Sequence, residues 1–200
     1  MKINYYPTTA ISDGQNGEGF VGHGIQVIRD DLVLAGKVIT VQLPVGENGA
    51  VLEALLLAEE GDVLVVDARG DCNRAVAGDF VISMMQKVGI AGLIVNGVIR
   101  DLEAVRSLDF PVFCKGTTVV AGVKNGGGKV NVPVSLGAVS ISPGDYVFAD
   151  LDGVIVVPKA NLEEVLVKTK QKIVSDEKRE KEVLRDQAST IAYLQKVTQK

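Results

Sequence analysis

Three charged residues carry most of the chemistry open to this chain: Asp79, Arg100 and Asp101. Arg100 and Asp101 are adjacent and follow the short apolar run Gly92-Leu93-Ile94-Val95 after a break at Gly97. Asp79 opens a helix-like run, Asp79 to Val88, which Gly89 stops. A guanidinium forks onto a carboxylate and stays charged at any working pH. Two carboxylates can hold a hard divalent cation, directly or through water. The start of a helix presents free N–H groups and a partial positive charge, so Gly78-Asp79-Phe80 suits a carboxylate or phosphate. Helix, strand, then charges at the strand's end is half of an α/β crossover, where such folds place their sites. Together these pieces point to a small, metal-assisted site for an anionic substrate. A plainer use exists for the pair: Asp101 as the N-cap of a following helix, with Glu103 in its first turn.

Other reactive groups are few. Asp67 and Arg69-Gly70-Asp71 follow an apolar strand and could line the same cleft, with surface salt bridging as the simpler expectation. His23 is the only histidine, which excludes a metal site built from two or three imidazoles; it lies in a glycine-rich stretch and reads as a surface residue. Cys72 has no histidine in a matching motif and reads as a structural thiol. Gly126-Gly127-Gly128 lacks the Gly-Lys-Ser/Thr ending of a phosphate loop.

The elements that must position these groups can be read in order. Thr8 to Asp13 starts a short helix, and Gly14 to Gly24, with five glycines, is loop. Val33 to Leu43 alternates apolar and polar residues and reads as a strand broken at Gly36. Ala50 to Glu59 is a helix, and Val63-Leu64-Val65-Val66-Asp67 a buried strand. Leu102 to Leu108 is a short helix and Pro111 to Cys114 a strand with proline at its first position. Lys129–Val132, Ala138–Ile141, Tyr146–Ala149 and Val154–Val157 read as short strands between Gly and Pro turns. Asn161 caps a long helix reaching Tyr193, whose charged half, Ser175 to Asp186, is solvated or lies on a neighbouring subunit. Gly61-Asp62-Val63 and Gly144-Asp145-Tyr146 open two turn-plus-strand units of one type.

The totals narrow the class. Two hundred residues, 46% hydrophobic and 23% charged, describe one globular domain. A net charge of −4 leaves no basic footprint, so direct nucleic-acid binding is not expected. No apolar run approaches membrane-spanning length, the N-terminus has no signal-peptide core, and two distant cysteines make no disulfide framework. The expectation is a cytoplasmic, reduced protein.

Asp79, twenty intervening residues and Arg100-Asp101 spell Asp-x20-Arg-Asp. Around this lie Gly92 to Asp101, Phe110-Pro-Val-Phe113, Val132-Pro-Val134, Pro143-Gly-Asp145 and Asp152-Gly-Val-Ile-Val-Val-Pro158. The ordered set resembles the RraA-like family, which includes class II 4-hydroxy-4-methyl-2-oxoglutarate aldolases, and the resemblance covers most of the chain. It implies an α/β fold, a swivelling β/β/α (αββα) sandwich in one domain over residues 1–200, assembled as a homotrimer or dimer of trimers. It implies that Asp101 binds Mg²⁺ or Mn²⁺ directly and that Asp79 does so through water. Arg100 would bind the substrate carboxylate and the developing enolate, and Gly78, Phe80 and Val81 would lend backbone N–H groups to the pyruvyl carboxylate. A Glu on the adjacent subunit's C-terminal helix (161–194) would reach the metal through water; among Asp176, Glu177, Glu180 and Glu182, Glu177 is the choice.

The implied activity is metal-dependent retro-aldol cleavage of a 4-hydroxy-2-oxo acid to pyruvate and a second 2-oxo acid. Oxaloacetate decarboxylation is expected alongside, because it needs the same enolate. No Lys lies in a recognised Schiff-base context, which favours the metal route over the covalent one. Two alternatives remain open. Some members of the family bind and inhibit an RNA-degrading endonuclease without catalysis, a role that needs no carboxylate at Asp79. An enzyme of this kind could also act on another 2-oxo acid, since the residues that read the distal half are not identifiable from motifs.

Overall fold

A computed structural model of the chain describes residues 3–199. Strands buried on both faces are written as unbroken apolar runs, and these build the centre of the molecule. Helix α1 (Thr8–Gly14) and the two-residue strand β1 (Gln26–Val27) come first. Strand β2 (Leu34–Gln42), helix α2 (Gly49–Leu57) and strand β3 (Val63–Asp67) make one crossover. Helix α3 (Asp79–Lys87) leads to strand β4 (Gly92–Asn96); β5 (Val98–Ile99) and helix α4 (Leu102–Ser107) lead to β6 (Val112–Cys114). Strands β2, β3, β4 and β6 lie side by side and parallel. Their carboxyl ends therefore share one edge.

The remaining strands are short: β7 (Gly116–Thr117), β8 (Lys129–Val130), β9 (Val134–Leu136), β10 (Val139–Ile141), β11 (Tyr146–Asp150) and β12 (Gly153–Val157). The sheet order is β1-β6-β4-β3-β2-β11-β12, with β8 against the end of β2. Its two ends approach each other: the Val21 N–H donates to the Val154 carbonyl, and Phe20 bridges Ile155. The sheet thus curls almost shut. Alternation along β3 shows how the core divides: Val63 and Val65 face the inside of the curl with Ile94, Phe113 and Val147. Leu64 and Val66 face outward and pack with Ile82 and Met85 of α3 and Val51 of α2. Helices α1 and α5 (Leu162–Val183) cover β11 and β12 through Ile11, Val165, Phe148 and Ile155. This is the α/β sandwich that the resemblance to the RraA-like family implies. No helix among the described residues is long and apolar enough to cross a membrane.

Two expectations need correction. Strand β2 is not broken at Gly36 but runs through it, because the missing side chain admits the Gly61 carbonyl and Val63 Cγ2, each 2.7 Å from where a Cβ would stand. The long C-terminal helix is two helices, α5 and α6 (Gln187–Thr198). The Asp186 carboxylate accepts the Ser189 N–H at 2.8 Å and starts a new helix there, while Asn161 gives α5 no side-chain cap. The paired Gly-Asp turns are alike in detail. Asp62 accepts the Glu59 N–H at 2.9 Å and Asp145 the Ser142 N–H at 2.8 Å, beside glycines of φ 86° and 88°. One local turn, used twice, accounts for the echo.

Candidate active site

The loop after β4 and the N-terminus of α3 meet at the carboxyl edge of the parallel strands. A second tier of short pairings fixes them. Strand β5 runs parallel to β7, and Ala75 bridges both Val98 and Ala121. The Arg100 N–H donates to the Ala77 carbonyl at 3.0 Å, and the Ile99 carbonyl accepts the Thr118 N–H at 2.9 Å. Arg100 is thereby held by the segment before α3 on one side and by the chain after β7 on the other.

Asp101 departs from an ordinary helix start. It occupies the N-cap position of α4 in the left-handed conformation, φ 59° and ψ 42°, and its side chain makes no cap bond. Instead Asp101 Oδ2 pairs with Arg100 Nε at 3.1 Å. The pair lies against bare backbone. A Cβ on Gly78 would run into Asp101 Oδ2 and stand 3.0 Å from Arg100 Nε and 3.1 Å from Arg100 Cγ. Gly78 is extended (φ −123°, ψ −173°), so its lack of a side chain serves the close approach and not a strained backbone. Asp79 begins α3 beside it, and Asp79 Oδ1 accepts the Phe80 N–H at 2.7 Å.

Gly78, Asp79, Phe80, Val81 and Arg100 thus line one cleft of about 190 Å³. Asp101 sits at its side, on an open depression shared with Glu103 and Ser107. The Phe80 N–H is already engaged by Asp79, so it reaches a ligand only when Asp79 turns away. Glu177 is exposed on α5, whose packing partner is α1 at the other end of the sheet. One chain therefore does not bring Glu177 to Arg100 and Asp101.

For a divalent cation, Asp101 and Asp79 offer hard oxygen donors of the right kind. Among the described residues no three acidic, His or Cys side chains gather into a ready cage. A cation there would take its other ligands from substrate, water or a second subunit.

The Asp67–Asp71 loop serves structure. Asp67 is buried and accepts the Arg69 N–H and Asn96 Nδ2 at 2.8 and 2.9 Å, and buried Asp71 accepts from Asn73. Contrary to the sequence expectation, they form no surface salt bridges among the described residues, because turn N–H groups take up the carboxylates. Arg69 borders a separate depression with Leu43 and Lys129. His23 is exposed and meets the Phe20 ring edge-on at 5.1 Å. Cys72 is exposed and Cys114 buried; both are free, and burial pushes the Cys114 thiol up to about 11. The far wall of the cleft, Asn48, Ala121, Gly122 and Lys124, carries no recognisable motif. Its one sequence signal, Asn48 in the Gly46-Glu47-Asn48-Gly49 stretch, is indistinguishable from an ordinary turn.

A curled α/β sheet with an Arg-Asp pair facing a helix start at the carboxyl edge defines a class, and the comparisons name it. The family model described as "RraA-like: Aldolase/RraA" matches residues 8–156, and the chain belongs to that family. It is 47% identical over 191 residues to a protein of Halalkalibacterium halodurans named "Putative 4-hydroxy-4-methyl-2-oxoglutarate aldolase", covering 96% of this chain and 91% of the relative. Among solved structures, Streptomyces coelicolor RraAS2, described as an unusual member of the RNase ES inhibitor RraA family, superposes with a TM-score of 0.77. It is 29% identical and covers 90% of this chain and 92% of its own. The RNA-processing inhibitor RraA from Thermus thermophilis gives a TM-score of 0.71 at 29% identity, covering 78% of this chain and 94% of its own.

Proposed function

We propose that the protein is a divalent-metal-dependent aldolase, cleaving a 4-hydroxy-2-oxo acid such as 4-hydroxy-4-methyl-2-oxoglutarate to pyruvate and a second 2-oxo acid. The observation that carries this is the Arg100–Asp101 pair set against the bare backbone of Gly78, with the Asp101 carboxylate withheld from helix capping. The aldolase name borne by the 47%-identical relative supports it. Asp101, with Asp79 acting through water, would hold Mg²⁺ or Mn²⁺, which supplies Lewis-acid stabilisation of the 2-oxo acid's developing negative charge. Arg100 grips the substrate carboxylate and faces the same charge. The free N–H groups at Gly78 and Val81 orient the pyruvyl end. The C3–C4 bond breaks with its electron pair moving into the enolate. Asp79, through water, takes the C4-hydroxyl proton as C4 becomes a carbonyl, and a proton returned to C3 completes pyruvate. Oxaloacetate decarboxylation passes through the same enolate. Glu177 enters only from a neighbouring copy, in a homotrimer or dimer of trimers.

The test is pyruvate release from a panel of 4-hydroxy-2-oxo acids and oxaloacetate, with Mg²⁺ and with EDTA. Activity is expected only with the metal and is expected to vanish in Asp101→Ala, which loses the one direct carboxylate. Full turnover in EDTA removes the metal mechanism. A second reading, a non-catalytic inhibitor of an RNA-degrading endonuclease, draws on the RraA descriptions of the two superposing structures. It predicts no pyruvate from any substrate, and inhibition of the nuclease that survives Asp79→Asn.

A further inference from the structure

The depression bordered by Arg69 has no use in the chemistry above. It measures about 300 Å³ and shares no lining residue with the cleft. Its charged walls are Arg69, just past β3, and Lys129, the first residue of β8; no acidic side chain lines it. In a chain of net charge −4, that is an uncompensated positive spot. Neither the guanidinium nor the ammonium has an ion-pair or hydrogen-bond partner among the described residues. Asp67 and Asp71, two residues to either side of Arg69, are buried and accept N–H groups of their own turns. The backbones that carry the two cations are fixed. Arg69 is left-handed, φ 56°, with its N–H on Asp67 Oδ1 at 2.8 Å, and the Gly70 N–H donates to the Asn96 carbonyl at 3.0 Å. Lys129 pairs with Gln42 in the sheet. Between them the chain lies flat on the start of α2: a Cβ on Gly128 would stand 2.6 Å from Ala50 Cβ and 3.1 Å from the Gln42 carbonyl. The wall there is therefore bare backbone, and the Gly127 and Gly128 N–H groups donate to no carbonyl among the described residues.

We propose that this depression binds a small phosphorylated molecule, at a site separate from the Arg100–Asp101 cleft. Two cations on one depression repel each other, and an anion between them turns that repulsion into two attractions. The guanidinium of Arg69 forks onto two oxygens, and the ammonium of Lys129 adds a point charge for a third. The free Gly127 and Gly128 N–H groups supply the uncharged donors that backbone concavities lend to phosphates. A tetrahedral dianion has enough oxygens for all of these donors, while a carboxylate has two. The remaining wall, Leu43 and exposed Pro44, is apolar and suits the body of an ester better than a bare ion. This is not the loop that a Gly-Lys-Ser/Thr ending marks. Its arginine comes from a distant part of the chain, so no local motif announces it. The inference stands apart from the aldolase reading.

The experiment is calorimetric titration of the full chain, without Mg²⁺, with inorganic phosphate, phenyl phosphate and benzoate. Phenyl phosphate is expected to bind more tightly than inorganic phosphate, because its ring covers Leu43 and Pro44. Benzoate, with one charge and two acceptors, is expected to bind about tenfold more weakly or worse. Arg69→Gln and Lys129→Gln change exposed side chains and are each expected to weaken phenyl phosphate by roughly 10- to 100-fold, the scale of one lost charged hydrogen bond. Their melting temperatures without ligand check that the fold is kept. Arg100→Lys separates the two sites: the affinity that Arg69→Gln removes is expected to persist in it. No binding of phenyl phosphate by the wild type up to roughly 10 mM overturns the site. So does binding indifferent to Arg69→Gln and Lys129→Gln, or binding lost in Arg100→Lys, which places the anion in the cleft. Benzoate binding as tight as phenyl phosphate overturns the assignment to phosphates.

Discussion

Gly78→Ala separates the site from the fold more cleanly than removal of any charged group. The backbone at Gly78 is extended, φ −123° and ψ −173°, which alanine adopts without strain. As the N-cap of α3, glycine is preferred to alanine by about 1 kcal/mol, a small part of the roughly 5–15 kcal/mol that holds a typical domain. The new methyl instead meets function: it collides with Asp101 Oδ2 and crowds Arg100 Nε at 3.0 Å and Cγ at 3.1 Å. The carboxylate must retreat by roughly 1 Å, a displacement that can cost about 10²-fold in rate when it separates groups that must act together. The expected result is a fall of about two orders of magnitude in kcat/KM for pyruvate release, a metal requirement met only at higher Mg²⁺, and a melting temperature lowered by a few degrees. Gly36→Ala is the opposite control. Its Cβ meets the Gly61 carbonyl and Val63 at 2.7 Å in mid-sheet, so it is expected to lose stability while activity per folded molecule holds. Wild-type turnover in Gly78→Ala refutes the placement of chemistry at this contact, and outright unfolding refutes the claim that the glycine serves only the site.

Two further expectations follow from named contacts. Arg100→Lys keeps the charge but loses the fork, so kcat should fall and KM rise together, with kcat/KM down by roughly 10²–10³; unchanged turnover places the active centre elsewhere. Burial pushes the Asp150 carboxyl up, but the Thr8 N–H at 2.9 Å, the Tyr5 and Thr8 hydroxyls at 2.7 Å each and the Asp152 N–H at 3.0 Å outweigh it and hold it below the usual range. A folded-state pKa below the unfolded value of about 3.9 contributes stability above that pH and loses it as pH falls through the folded value. Urea unfolding from about pH 7 to about pH 3 should therefore show a loss near the acid end that Asp150→Asn flattens, with the variant about 1–3 kcal/mol less stable near neutrality; an unaltered acid limb in the variant refutes the assignment.

How much was legible in the sequence depends on which force sets each feature. Val63–Asp67 and Gly92–Asn96 were plain because burial on both faces writes an unbroken apolar run. Asp79 and Arg100-Asp101 were legible through their ordered spacing. The strands Val98–Ile99 and Gly116–Thr117, which hold Arg100 in place, were not: two residues carry no periodicity, and their pairing comes from contacts distant in sequence. The break at Leu184–Asp186 was a contest between helix propensity and a local Asp186–Ser189 cap, which a charged, featureless run conceals. Asn48 and Lys124 lie far apart in the chain and meet only because a β-bridge joins Glu47 to Val123.

One dihedral angle separates the two uses open to Asp101. An N-cap residue keeps an extended backbone and turns its side chain onto the second or third helical N–H. Asp101 has that position, since its carbonyl accepts the Val105 N–H at 3.0 Å, but with φ 59° its side chain does not turn onto the helix. Helix α4 therefore begins without the bond its sequence offers, a loss of about 1 kcal/mol on the usual scale for caps. An aspartate tolerates the left-handed region better than most residues, so the backbone strain is modest, but it is not zero. Both losses serve one arrangement: the carboxylate beside Arg100, over the bare backbone of Gly78, at the edge where α/β sheets gather ligands. Local strain of this kind survives only where the surroundings over-determine it. Here the Ala77 carbonyl, the β5–β7 pairing and the missing Gly78 side chain do so from three directions. The same three supports explain why neither a capping rule nor a charge count could have distinguished a helix start from a candidate metal ligand.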